Sequence, residues 1–113
     1  MGEASIPRFA GNSHTLQFED GAVFRETYSP DGRSLRWEGL EGPFAGSAET
    51  VSLYVGEVAD GVYFVSWLES SGMTVSRVMD FNNGTAQDFW TKPAEAGRGG
   101  RVAEMHTGTM SPA

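Results

Sequence analysis

Val62-Tyr63-Phe64-Val65-Ser66-Trp67-Leu68-Glu69-Ser70-Ser71-Gly72-Met73-Thr74-Val75-Ser76-Arg77-Val78-Met79-Asp80-Phe81 is the stretch that decides the fold. Two runs rich in Val, Tyr, Phe, Trp and Thr flank a polar segment ending in glycine, the composition of two strands joined by a hairpin turn. Ser70-Ser71-Gly72 suits a three-residue loop with glycine in the left-handed position, which sets Glu69 opposite Met73. Counting back, Trp67 faces Val75, Val65 faces Arg77 and Tyr63 faces Met79. Side chains alternate along a strand, so Tyr63, Val65, Trp67, Glu69, Met73, Val75, Arg77, Met79 and Phe81 share one face, apolar but for Glu69 and Arg77. Phe64, Ser66, Leu68, Thr74, Ser76, Val78 and Asp80 share the other, more mixed face. A two-residue loop would instead slip the second strand by one residue and bring Asp80 beside Tyr63.

The same turn chemistry recurs outward from this hairpin, at Glu19-Asp20-Gly21, Ser29-Pro30-Asp31-Gly32, Ala59-Asp60-Gly61 and Asn82-Asn83-Gly84. Asn83-Gly84-Thr85 also matches a glycosylation acceptor, but Asn-Gly reads here as a hairpin turn. Strands are expected at about His14 to Phe18, Ala22 to Tyr28, Ser34 to Glu38, Ser47 to Gly56, Val62 to Leu68, Met73 to Phe81, Thr85 to Thr91 and Arg101 to Thr107. The fold class this implies is all-β, an eight-stranded antiparallel barrel that either fills with side chains or holds one small ligand. Helix is confined to one turn near Ile6 to Ala10. Gly39 to Gly46 reads as a flap over the barrel mouth carrying Leu40 and Phe44, Lys92 to Gly100 as a small-residue loop, and residues 108–113 as a frayed tail. Nothing marks a boundary, so the chain reads as one domain.

Composition narrows the functions. The chain has 113 residues, no cysteine, and 8 basic against 15 acidic side chains, for a net charge of −7. Disulfides and thiolate metal sites are excluded, and the acid excess argues against a binder of nucleic-acid phosphates. No signal-peptide pattern, myristoylation signal at Gly2, or apolar run of about 20 residues is present, so a cytoplasmic protein without a membrane partner is expected.

Glu69 and Arg77 carry the chemistry of the hairpin's apolar face. Desolvation raises a carboxyl pKa and suits it to acid-base work near neutrality, and an arginine there can hold a carboxylate or enolate. The competing reading leaves Glu69 at a wet rim and has Arg77 snorkelling to water or held in a structural ion pair. His14 and His106 fall in the first and last strands, neighbours in a closed barrel, but they lack ligand spacing, so no metal or other cofactor is expected. Tyr28, Trp37, Tyr54, Phe89 and Trp90 read as core or pocket lining.

Leu16-Gln17-Phe18-Glu19-Asp20-Gly21, Gly61 to Glu69, and Val75-Ser76-Arg77-Val78-Met79-Asp80-Phe81 resemble the MoaF-like group of calycin-type barrels, and more distantly the bacterial phenolic acid decarboxylases. The likeness covers roughly residues 9 to 91. It implies a lipocalin-like barrel with an interior pocket, often a homodimer. The decarboxylases hold a substrate carboxylate with a tyrosine pair where this chain has Leu16 and Phe18, and with an arginine where it has Ser47; only their glutamate is kept, as Glu69. Phenolic acid decarboxylation is therefore not expected. The leading reading is a binder of a small apolar or aromatic molecule, contacted by Tyr63, Val65, Trp67, Val75, Met79 and Phe81, with Leu16, Phe18 and Phe44 around them. The alternative is a cofactor-independent lyase, isomerase or cyclase with Glu69 as acid or base and Arg77 stabilising negative charge. A fully packed structural barrel is the third.

Overall fold

The computed structural model describes residues 6–112; the leader and myristoylation readings at residues 1–5, and residue 113 of the tail, lie outside them. Among the described residues nine strands form one antiparallel sheet: β1 (Ser13–Phe18), β2 (Val23–Tyr28), β3 (Ser34–Glu41), β4 (Ala48–Ser52), β5 (Tyr54–Ala59), β6 (Val62–Leu68), β7 (Thr74–Asp80), β8 (Thr85–Arg98) and β9 (Arg101–Pro112). Their order is β4-β3-β2-β1-β9-β8-β7-β6-β5. Among the described residues no helix is long and apolar enough to cross a membrane.

The count of nine corrects the expected eight. The strand read at Ser47 to Gly56 divides at Leu53, whose N–H leaves the ladder and donates to Arg33 O at 2.8 Å. β4 then pairs with β3 and β5 with β6, so the two ends of the sheet are consecutive in the chain, with no ladder between them. The sheet is rolled, because side chains of β2 and β7 meet although β1, β9 and β8 lie between them in the order.

The deciding hairpin has the expected register, with Trp67 opposite Val75, Val65 opposite Arg77 and Tyr63 opposite Met79. Glu69 N–H donates to Met73 O and Gly72 N–H to Glu69 O, both at 2.9 Å, and Gly72 takes φ 92°, which closes the three-residue loop. Tyr63, Val65, Trp67, Val75, Arg77 and Met79 are buried, while Phe64, Leu68 and Val78 face outward.

Four further expectations change. Ile6 to Ala10 holds no helix: Ala10 N–H donates to Pro7 O and Asn12 N–H to Phe9 O, forming turns that drive Phe9 into the core at 1% exposure. Lys92 to Gly100 is mostly strand, because β8 and β9 stay paired past Thr91, and the Arg101 side chain ties the extension to Thr91 Oγ1 and Gly72 O. Residues 108–112 are not frayed: they pair with His14–Phe18 and satisfy an edge of β1 that would otherwise be open. Tyr54 and Phe89 are not core or lining residues, being 65% and 45% exposed; Phe89 lies between inward-facing Asp88 and Trp90 and has the opposite parity.

Candidate functional site

The interior is divided by a belt of buried polar groups. Arg77 on β7 and Asp88 on β8 are direct cross-strand partners, and the guanidinium grips the carboxylate with Nε to Oδ1 at 2.7 Å and Nη2 to Oδ2 at 2.9 Å. A third N–H, on Nη1, donates across the interior to Glu26 Oε1 on β2. Glu26 is also met by its cross-strand neighbour His14, with Nε2 at 2.9 Å, and by Tyr28 Oη at 3.3 Å. Trp90 Nε1 donates to Asp88 Oδ2 at 2.9 Å. Burial alone would raise the Glu26 carboxyl, but Arg77 and His14 outweigh it and bring the pKa down to about 2. Burial likewise opposes the charge on Arg77, and Asp88 with Glu26 more than restores it, so its pKa lies above the ordinary value.

On one side of this belt the interior is plugged. Phe9 packs on Tyr28 and Tyr63 at ring-centroid distances of 4.6 and 5.2 Å, with Phe81 at 6.1 Å. Leu16, Val65 and Met79 are fully buried. Leu16, Tyr63, Val65, Met79 and Phe81, all expected as ligand contacts, are absent from the lining of the mouth cavity; Tyr63 lines an outer cavity of about 250 Å³ beside Pro7 and Leu53, and Phe81 a shallow one of about 620 Å³ beside Phe9 and His14.

On the other side lies a mouth. Phe18, Phe24, Trp37, Phe44, Trp67 and Trp90 surround a cavity of about 20 Å³, closed in by Met73 and Val75, with Glu69 and the belt residues Glu26, Arg77 and Asp88 supplying its polar wall. Of the expected site residues, Phe18, Phe44, Trp67, Glu69, Val75 and Arg77 meet here. Phe44 projects from a turn held by Ser47 N–H to Phe44 O at 3.0 Å and Gly46 N–H to Gly39 O at 3.0 Å. It packs on Phe24, Trp90 and Trp37 at 5.8, 5.8 and 6.5 Å. Gly39 makes that turn feasible, since a Cβ there would fall 1.8 Å from Phe44 O.

Two polar groups at the mouth are incompletely matched. Trp37 is 8% exposed, and its Nε1 has no hydrogen-bond partner among the described residues. Glu69 accepts a 2.9 Å hydrogen bond from Trp67 Nε1 and has no salt-bridge partner among the described residues. Its pKa is raised, mainly by burial and further by nearby Glu49, against the pull of the Trp67 bond. Arg77 lies with Cζ 4.9 Å from the Trp67 ring centre.

The strands of His14 and His106 are neighbours, as read from the sequence, but the two histidines are not brought together. His14 is opposite Pro112 at one end of β1, whereas His106 lies beyond the other end, where Phe18 faces Gly108, and approaches Asp20 and Glu104. Among the described residues no group of three or more His, Asp or Glu is arranged to hold a metal ion. Sequence reasoning missed Glu26 and Asp88, though each has a local signal: an acid at inward parity between Phe24 and Tyr28, and between Ala86 and Trp90.

A family model described as MoaF-like matches residues 10–102. The crystal structure described as "a putative beta-lactamase from Burkholderia vietnamiensis" superposes with a TM-score of 0.82 at 26% identity, covering 97% of this chain and 100% of that one. Core-bradavidin superposes with a TM-score of 0.55 at 16% identity over 88% of this chain and 99% of its own, a likeness of fold to the avidin-like calycin barrels. No curated protein sequence matches. The sole lysine here, Lys92 in Phe89-Trp90-Thr91-Lys92, makes no Ser-x-x-Lys pattern of the serine β-lactamases.

Proposed function

The chain belongs to the MoaF-like family, and from that premise and the geometry of the mouth we propose that it binds a small molecule with an apolar or aromatic body between Phe18, Phe24, Trp37, Phe44, Trp67 and Trp90. The observation that carries this reading is the gathering of all three tryptophans and three phenylalanines around one cavity, beside the buried indole N–H of Trp37, which has no partner among the described residues. An unsatisfied buried donor costs about 1–3 kcal/mol, and an acceptor atom on a ligand removes that cost. The likeness to a calycin-type fold agrees with small-ligand binding.

The cavity of about 20 Å³ has room for about one water molecule, whereas metabolite sites measure about 300 Å³ or more. Binding therefore requires Phe44 to leave the mouth. Its turn, with Gly42 and Gly46 at φ 90° and 88°, lies between β3 and β4, and Phe44 is only partly buried, whereas the other five aromatics of the wall are buried on strands, so Phe44 can move without breaking a strand pairing. The test is a titration of tryptophan emission with small aromatic probes, alongside native mass spectrometry of protein from its own host. Saturable quenching or a co-purified molecule is expected. If neither occurs, with Phe44→Ala as inert as the parent, the packed-barrel reading replaces this one.

One observation favours the catalytic alternative: Glu69 faces the cavity and burial raises its pKa, as an acid-base residue requires. Arg77 contributes less to it, because its charge is matched by Asp88 and Glu26. With a co-purified molecule in hand, Glu69→Gln separates the readings: a catalyst loses turnover and keeps binding.

A further inference from the structure

Resting on that binding reading, we propose that the mouth selects an organic cation, a protonated or quaternary amine on a small apolar body that also carries an acceptor atom for the Trp37 N–H. Three carboxylates, Glu26, Glu69 and Asp88, line the cavity against one guanidinium. That guanidinium is committed: three of its N–H groups donate to Asp88 and Glu26, and it lies against the Trp67 ring. Arg77 cannot clamp a ligand carboxylate without giving up a buried ion pair, which is costly. Glu26 and Asp88 share that one guanidinium, so each has a cationic partner while the three groups together still leave one negative charge behind the cavity. The charge left facing the cavity without a cationic partner among the described residues is that of Glu69, whose sole hydrogen bond there comes from a neutral indole.

The rest of the lining points the same way. Aromatic rings present negative faces, and a cage of them stabilises a cation by about 0.5–2 kcal/mol according to how far it is desolvated. Here the rings meet largely edge to face, Phe24 with Trp37 at 81° and Phe44 with Trp90 at 80°, so neighbouring rings turn different aspects to the same space. Trp67 already carries the Arg77 cation at 4.9 Å, evidence that this wall accommodates positive charge. A net charge of −7 draws cations toward the molecule and repels anions.

Three probes built on one phenyl ring test the sign of the charge: phenyltrimethylammonium, its neutral isostere tert-butylbenzene, and the smaller anion benzoate, each titrated into the full chain with tryptophan emission as readout. The cation is expected to bind about tenfold more tightly than tert-butylbenzene, with no saturable response to benzoate. Glu69→Gln is expected to lower the ratio of cation to tert-butylbenzene affinity by most of that tenfold. Equal or tighter binding of tert-butylbenzene or benzoate overturns the cation inference and leaves the pocket standing. A preference that survives Glu69→Gln intact overturns the role given to Glu69. If none of the three binds, to the parent or to Phe44→Ala, the binding reading itself fails.

Discussion

Arg77 and Glu26 meet across the rolled sheet, joining β7 to β2 through the interior with both side chains 2% exposed. Asp88 completes the clasp from β8, so one guanidinium holds opposite walls together. Removing one member of a buried ion network leaves the others uncompensated, which costs about 3–5 kcal/mol. Arg77→Met is therefore expected to lose that much stability in urea unfolding. A loss under about 1 kcal/mol would show that the belt does not hold the walls together.

Acid should act through Glu26. Its folded-state pKa of about 2 lies below the ordinary 4.5, so its contribution is fully present above about pH 4.5 and disappears as pH falls toward 2. The amount is on the order of 3 kcal/mol. Glu69 works in the opposite sense: its raised pKa favours the protonated folded form, so its contribution is present at low pH and is lost as pH rises through that value. Thermal melts across the acid range should show a steep decline that Glu26→Gln flattens. An unchanged slope in the variant would assign the acid sensitivity to other carboxylates.

Phe44 is expected to gate the mouth. Phe44→Ala should increase quenching of tryptophan emission by acrylamide and speed the association of phenyltrimethylammonium, at a stability cost of about 1–3 kcal/mol. Lost stability with no change in accessibility or association rate would make Phe44 a packing residue alone.

Gly39 and Gly46 are expected to respond differently to alanine. At Gly39 the new Cβ meets the Phe44 carbonyl, which is backbone and cannot swing aside. At Gly46 nothing lies within 4 Å, and the cost is the φ of 88° alone, about 1–2 kcal/mol. Gly39→Ala should therefore be the more destabilising in chemical denaturation and should also expose the tryptophans to acrylamide. Equal losses would mean the turn shifts freely as a unit.

How much of this was legible in the sequence follows from chain distance. The register from Val62 to Phe81 was readable because turn and strands lie within one local stretch. Glu26 and Asp88 announced themselves as acids on apolar faces, but the Arg77 partner of Glu26 is 51 residues away, and only the roll of the sheet joins them. Which part of the inward face lines a cavity depends on Phe9, which plugs one end from outside the ladder. The extension of β8 and β9 was hidden because Pro93 and the glycines after it read locally as loop, while its anchoring by Arg101 to Gly72 is long-range.

The pairing of β1 with β9 sets the order in which the molecule can be completed. His14 lies opposite Pro112, so a strand made early is matched by residues made 98 positions later (112 − 14). During synthesis and refolding the hairpins β2–β3 and β6–β7 can form from neighbouring segments, whereas the seam between β1 and β9 must wait for Gly108–Pro112 to arrive. Until then β1 offers an open edge, the vulnerable interval for aggregation, and closing that long loop is the slow event expected of a topology rich in distant contacts.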